Sequence, residues 1–125
     1  METGQRFTVD ILIEPAATIA GWQFNTYFDP TLVSVDSVEN GGFLPGFSPG
    51  TIDNDAGIIY ATYAIQTGPG GNSAPGTLAR ITLDAGSTTG GFALHIDNVK
   101  VGDADNNPLP VDVTDGYVQI ESPTS

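Results

Sequence analysis

Apolar and polar residues alternate along most of this chain, and the plainest run is residues 19–30, IAGWQFNTYFDP. Ala20, Trp22, Phe24 and Phe28 occupy the even positions with Thr26 as the one polar member, while Gly21, Gln23, Asn25 and Tyr27 occupy the odd ones. Side chains alternate faces along a strand, so this spacing predicts a strand with one buried apolar face and one polar, presentable face. Asp29-Pro30 closes it, because proline has no N–H for the ladder and aspartate favours turns. Trp22, the only tryptophan, falls on the inward face and anchors the core.

The same period recurs on both sides. Residues 7–14 put Phe7, Val9, Ile11 and Ile13 on one face, and 32–38 (LVSVDSV) form a further strand closed by the turn signal Asn40-Gly41-Gly42. The proline-interrupted stretch 43–55 holds one or two short edge strands. In 57–65 (GIIYATYAI) alternation groups Ile59, Ala61 and Tyr63 inward and Ile58, Tyr60 and Thr62 outward. After a glycine–proline loop at 68–76, residues 77–85 turn Ala79, Ile81 and Leu83 inward. Residues 92–101 turn Phe92, Leu94 and Ile96 inward, with a register shift at Asn98 of the kind a bulge makes. An acidic loop, 102–110, precedes the last strand, 111–121. No stretch has helical periodicity, so the expected fold is an all-β jelly-roll sandwich of about eight to nine strands. Residues 1–121 form one module, and 122–125 begin a Pro/Thr/Ser linker.

Composition narrows the function. Fifteen acids against three bases give a formal net charge of −12, which repels phosphate backbones and argues against nucleic acid. No run approaches the ~18 apolar residues of a membrane span. Cysteine is absent, which removes disulfides and thiolate metal sites. With no signal peptide, and Met1 read as an expression start, the chain reads as a module excised from a larger secreted or cell-surface protein.

Candidate chemistry is thin. Gly46-Phe47-Ser48-Pro49-Gly50 matches G-x-S-x-G, but a nucleophile elbow needs a helix after the serine and none is predicted. His95, the only histidine, alternates outward between Leu94 and Ile96 with no evident partner. Asp103, Asp105 and Asn107 have the alternate-oxygen spacing that opens a calcium loop, yet Pro108 and Thr114 stand where that loop needs glycine and glutamate. Asx turns account for such residues as well. Asp53-Asn54-Asp55 is a weaker version of the same spacing. No carboxylate pair is singled out for glycoside hydrolysis, so an enzyme is the least supported class. Outward tyrosines can stack on sugar rings; alternation leaves Tyr27 and Tyr60, which keeps a carbohydrate-binding module as the alternative.

Several segments, in order, resemble the cohesin family, the receptor modules of scaffolding proteins that bind dockerins. They are GQRFTVDI from Gly4, the 19–30 stretch with Leu32-Val33-Ser34-Val35, GIIYA from Gly57, GTLARI from Gly76, Asp97-Asn98-Val99-Lys100-Val101, and DGYVQI from Asp115. The resemblance implies a nine-stranded jelly roll and a non-catalytic role in assembling multi-modular extracellular proteins. It also implies no cofactor of its own, since calcium belongs to the dockerin. By position it assigns the partner face to Gly21, Gln23, Asn25, Tyr60, Thr62, Ile65, His95 and Asp97. Cellulosomal members often carry Asn and Asp where this chain has Gly21 and Gln23, which marks a divergent, non-cellulosomal member. Members also carry a strand ahead of the Gly4 segment, beside the last strand. Only Met1, Glu2 and Thr3 stand there, so the strand at 117–120 is expected to fray or to pair with a second copy.

Overall fold

The computed structural model describes residues 2–15, 17–66, 70–103, 105, 107–109 and 111–122. The turn at Ala16, the start of the 68–76 loop, Ala104, Asn106 and Pro110 in the acidic loop, and the tail at 123–125 lie outside the described residues. Nine strands follow in order: β1 (Arg6–Ile13), β2 (Gly21–Tyr27), β3 (Val33–Asn40), β4 (Gly46–Ser48), β5 (Thr51–Asp53), β6 (Ile58–Ile65), β7 (Gly76–Ala85), β8 (Gly90–Gly102) and β9 (Gly116–Ile120). They form a three-stranded sheet, β1-β7-β3, and a six-stranded sheet, β4-β6-β2-β8-β9 with β5 also on β6. Every ladder between them is antiparallel. The all-β sandwich follows the alternation.

The core is made by the facing apolar sides of the two sheets. Trp22 and Phe24, two apart on β2, stack with ring centroids 5.2 Å apart, and Phe47 of β4 leans on Trp22 at 6.1 Å. Ala79, Ile81 and Leu83 of β7, all buried, belong to the same core. On the outside of the three-stranded sheet, Arg6 pairs with Asp84 and Arg80 with Asp10, each at 2.8 Å across the β1–β7 ladder. The guanidinium hydrogen bonds hold Asp10 and Asp84 below the usual carboxylate range. Two of the three bases are thereby committed to one face.

Tight turns connect these layers. Gly57 has φ +76°, and a Cβ there would strike the Phe28 carbonyl oxygen. In the same turn, Asn54 bonds both backbone groups of Val35, donating from Nδ2 to the carbonyl and accepting the amide at 2.7 Å. One side chain thus ties the β5–β6 turn to a strand of the opposite sheet.

The last strand is shorter than alternation predicts. Residues 111–115 are exposed and lie outside the ladder, and β9 begins only at Gly116. Gly90–Leu94 of β8 pair with it residue by residue, and Glu2 meets Glu121 in a parallel bridge.

Two buried threonines on the inward faces differ in satisfaction. The Thr62 hydroxyl donates to the Pro49 carbonyl at 3.0 Å, whereas the Thr26 hydroxyl has no partner among the described residues. An unmade buried hydrogen bond costs desolvation without return. Thr26→Val is therefore expected to raise unfolding free energy by ~1 kcal/mol, and Thr62→Val to lower it by about as much. Urea denaturation of both variants measures the pair; equal shifts of one sign would contradict this assignment.

Candidate functional site

The six-stranded sheet turns one face to the core and presents the other to solvent. Its composition follows from register. In β2, Gly21, Gln23, Asn25 and Tyr27 point outward as the alternation requires, each half-buried by its neighbours. β6 does not keep strict alternation. Its ladder with β2 shifts between Phe24 and Thr26, where Ala61 adopts a left-handed φ of 56°. Asn25 holds this bulge, its Oδ1 accepting the Ala61 amide at 2.8 Å.

The bulge exchanges two side chains. Thr62, expected on the partner face, is 1% exposed and faces the core, while Tyr63, expected inward, is 41% exposed and stands opposite Gln23. Tyr60 and Ala61 both reach solvent, and Ile65 remains outward beside Gly21. Gly50 makes room for the distortion, since a Cβ at its φ of +81° would collide with the Tyr60 carbonyl oxygen. Thr62 is thus removed from the candidate face and Tyr63 is added. Alternation missed the swap because, Thr62 apart, 58–65 is apolar or aromatic in both phases.

In β8, the register shift expected at Asn98 is present, with φ 54° there and a ladder irregularity between Gln23 and Asn25. It places Lys100 opposite Gln23 and Asp97 opposite Asn25. His95 lies opposite Tyr27, ring centroids 5.7 Å apart. Further along the same face, Tyr117 of β9 is 70% exposed opposite Ala93. All four tyrosines of the chain, Tyr27, Tyr60, Tyr63 and Tyr117, therefore lie on this one face.

His95 has a partner that sequence spacing did not show. Asp115 Oδ2 lies 2.8 Å from its Nδ1, and the other carboxylate oxygen accepts the Ile96 amide at 3.1 Å. Asp115 thereby ends the β8–β9 ladder while orienting the imidazole. Ser48 of the G-x-S-x-G match is on β4, separated from β8 by β6 and β2, and the short strand β5 rather than a helix follows it. No serine–histidine pair is formed.

The acidic loop is organised by its own aspartate. Asp103 Oδ1 accepts the amides of Asp105 and Asn107 at 3.0 and 2.9 Å, and the Asn107 side-chain amide donates to Oδ2 at 3.3 Å. The Asn107 backbone bond comes first among the causes that lower the Asp103 pKa. Asp103, Asp105 and Asn107 form an Asx-type turn, and no cluster of three or more acidic or histidine side chains is arranged for a metal among the described residues. At Asp53-Asn54-Asp55, Asp53 accepts the amides of Asp55 and Ala56 and Asn54 accepts that of Val35.

Nine strands in two sheets, with one broad outer face of tyrosines, amides and a few charges, define a β-sandwich module. The cohesin domain profile matches residues 2–120, nearly the whole chain, and the chain belongs to the cohesin family. That family is one of non-catalytic interaction modules. Among solved structures, the seventh ScaB type I cohesin of Pseudobacteroides cellulosolvens is 22% identical with a TM-score of 0.84, over 100% of this chain and 88% of its own. The cohesin in a type I cohesin–dockerin complex of Clostridium thermocellum is 19% identical with a TM-score of 0.83, over 97% and 92%. A non-cellulosomal cohesin of the hyperthermophilic archaeon Archaeoglobus fulgidus is 17% identical with a TM-score of 0.80, over 97% and 86%. No curated protein is significantly similar to the chain.

The His95–Asp115 pair gives this face a pH signature. The Asp115 hydrogen bond, with its charge and that of Asp97, raises the His95 pKa above 6.5 against desolvation, and His95 lowers that of Asp115 below 3.8. A raised histidine contributes stability below its unfolded pKa and loses it as pH climbs through the folded value; a lowered carboxylate loses its share as pH falls. The pair is thus fully engaged between 3.8 and 6.5. An NMR titration is expected to place His95 above 6.5 and to return it toward 6.5 in Asp115→Asn. The same value in both proteins would contradict the pairing.

Proposed function

We propose that this module binds a dockerin across the outer face of the six-stranded sheet and so joins components of a multi-modular extracellular protein. Family membership over residues 2–120 is the observation that carries this reading. The chemistry of the face supports it. Tyr60 and Tyr63 supply exposed aromatic area beside Ile65, and Gly21 leaves that row low enough for close approach. Gln23, Asn25, Lys100, His95 and Asp97 surround them with hydrogen-bonding groups, the division between apolar centre and polar rim found at protein interfaces. Asn25 contributes through the bulge it holds as well as through its own exposed edge. Calcium belongs to the dockerin in this reading, and the cohesin supplies a preformed surface.

A carbohydrate-binding role is the second reading, favoured by one observation: four tyrosines share the face. Pairing of two copies through the β9 edge does not enter the proposal. Each copy carries −12, and Glu2 already meets that edge at Glu121.

Titration calorimetry against a panel of calcium-loaded dockerins, including that of the Clostridium thermocellum complex, tests the proposal. Sub-micromolar binding that disappears with chelator is expected for at least one dockerin. Tyr60→Ala and Gln23→Arg should each weaken it ~10-fold or more while leaving thermal stability nearly unchanged. Equal affinity for both variants and the parent would refute the face assignment. Retention on insoluble polysaccharide with no dockerin bound would favour the second reading.

A further inference from the structure

Two glycines stand side by side on the tyrosine face. Gly21 of β2 pairs with Gly102 of β8 on one side and with Ile65 of β6 on the other. With no side chain at either glycine, the sheet is indented there. The next outward row, Tyr63–Gln23–Lys100, forms one wall of the notch. Residues 107–109 form another, held by the Gly102–Pro108 bridge and by the Leu109 amide donating to the Val101 carbonyl at 2.8 Å. The notch encloses about 480 Å³, room for one large side chain and the backbone that carries it. Its apolar lining is Ile65, Tyr63 and Leu109, with Ile65 52% exposed. Crowding does not require the glycine at 21. A Cβ there would meet nothing nearer than 3.8 Å, so a larger residue would fit the strand and stand in the notch.

The charge of the notch is as particular as its shape. Of the chain's three bases, Arg6 and Arg80 are paired with aspartates on the opposite sheet. Lys100, exposed at the notch, has no ion pair among the described residues. Asp103 also lines the notch, but its carboxylate is bonded within its own loop, to the Asp105 and Asn107 amides and the Asn107 side chain. The following outward row carries Asp97 instead, opposite Asn25. On a chain of net charge −12, a partner carboxylate is therefore repelled at most positions and attracted at this one.

We propose that this notch is the specificity pocket of the partner face, taking an aliphatic side chain of the docked protein that is flanked by an aspartate or glutamate. The aliphatic group buries against Ile65, Tyr63 and Leu109 over the two glycines, and the carboxylate pairs with Lys100. This rests on the reading of that face as the dockerin site and adds the chemistry it selects. Moving the carboxylate one row along β8 brings it to Asp97, so the pairing with Lys100 also fixes the partner's register.

The notch is tested first without a dockerin, by amide chemical-shift titration of the full chain with acetyl-Leu-Glu-amide and its neutral counterpart acetyl-Leu-Gln-amide. Saturable shifts at Gly21, Gly102 and Leu109 are expected with the glutamate peptide at millimolar affinity, and ~3-fold weaker binding or less with the glutamine one. Lys100→Gln should remove that preference. Arg80→Gln, which deletes the same charge from the other sheet, should retain it. Gly21→Val fills the notch and should abolish the shifts for both peptides. Absence of saturable shifts, equal affinity for the two peptides, or a preference that survives Lys100→Gln would overturn the proposal. So would shifts at these amides with cellohexaose and none with either peptide, which would favour the carbohydrate reading. Any dockerin that binds the parent should lose ~10-fold or more in affinity for Lys100→Glu. Equal affinity there would overturn the pocket and leave the dockerin reading standing. Peptide binding with no dockerin bound would refute that reading and leave the notch in place.

Discussion

The hydrogen bond from the Ala61 amide to Asn25 Oδ1 governs what this module shows to a partner. It holds one extra residue in β6 against β2, and everything beyond that residue changes face. Without it Tyr63 would enter a core already filled by Trp22 and Phe24, and Thr62 would sit in solvent. With it, Thr62 bonds the Pro49 carbonyl at the break between β4 and β5, while Tyr63 joins Tyr60 outside. A left-handed alanine costs on the order of 1–2 kcal/mol. The return is a satisfied core hydroxyl and a larger aromatic surface, so a local backbone irregularity sets the chemistry of the whole face.

A second bulge, at Asn98, acts on the other side of β2. Together the two distortions bracket Asn25, which faces Asp97 on one side and the Ala61 amide on the other. The tyrosines flank this centre: Tyr63 with Gln23 on one side, Tyr27 with His95 on the other. The opposite sheet is different in kind. Its outer surface is held by the Arg6–Asp84 and Arg80–Asp10 pairs, whose members are exposed and mutually satisfied. Free polar and aromatic groups thus gather on one side of the sandwich and cross-strand ion pairs on the other.

Most of the architecture was legible from period-two alternation, and the reasons for the misses are local. Asn98 could be anticipated because the apolar positions change phase across it, from Ile96 to Val99. Ala61 could not, because Ile58, Ile59, Tyr60, Tyr63 and Ala64 leave both phases apolar. Residues 111–115 alternate like a strand, yet pairing depends on a neighbour that local sequence does not specify. The His95–Asp115 contact, twenty positions apart, is likewise set by the β8–β9 register. Composition excluded whole classes of partner, but the partner class itself became visible only through family resemblance.

The most direct test of this account is an amide chemical-shift map of the labelled module titrated with a calcium-loaded dockerin that binds it. The account predicts that the largest changes fall on β2, β6 and β8 around Gln23, Asn25, Tyr60, Tyr63 and Asp97, with β1, β3 and β7 little affected. Changes centred on the Arg6–Asp84 and Arg80–Asp10 face would contradict it.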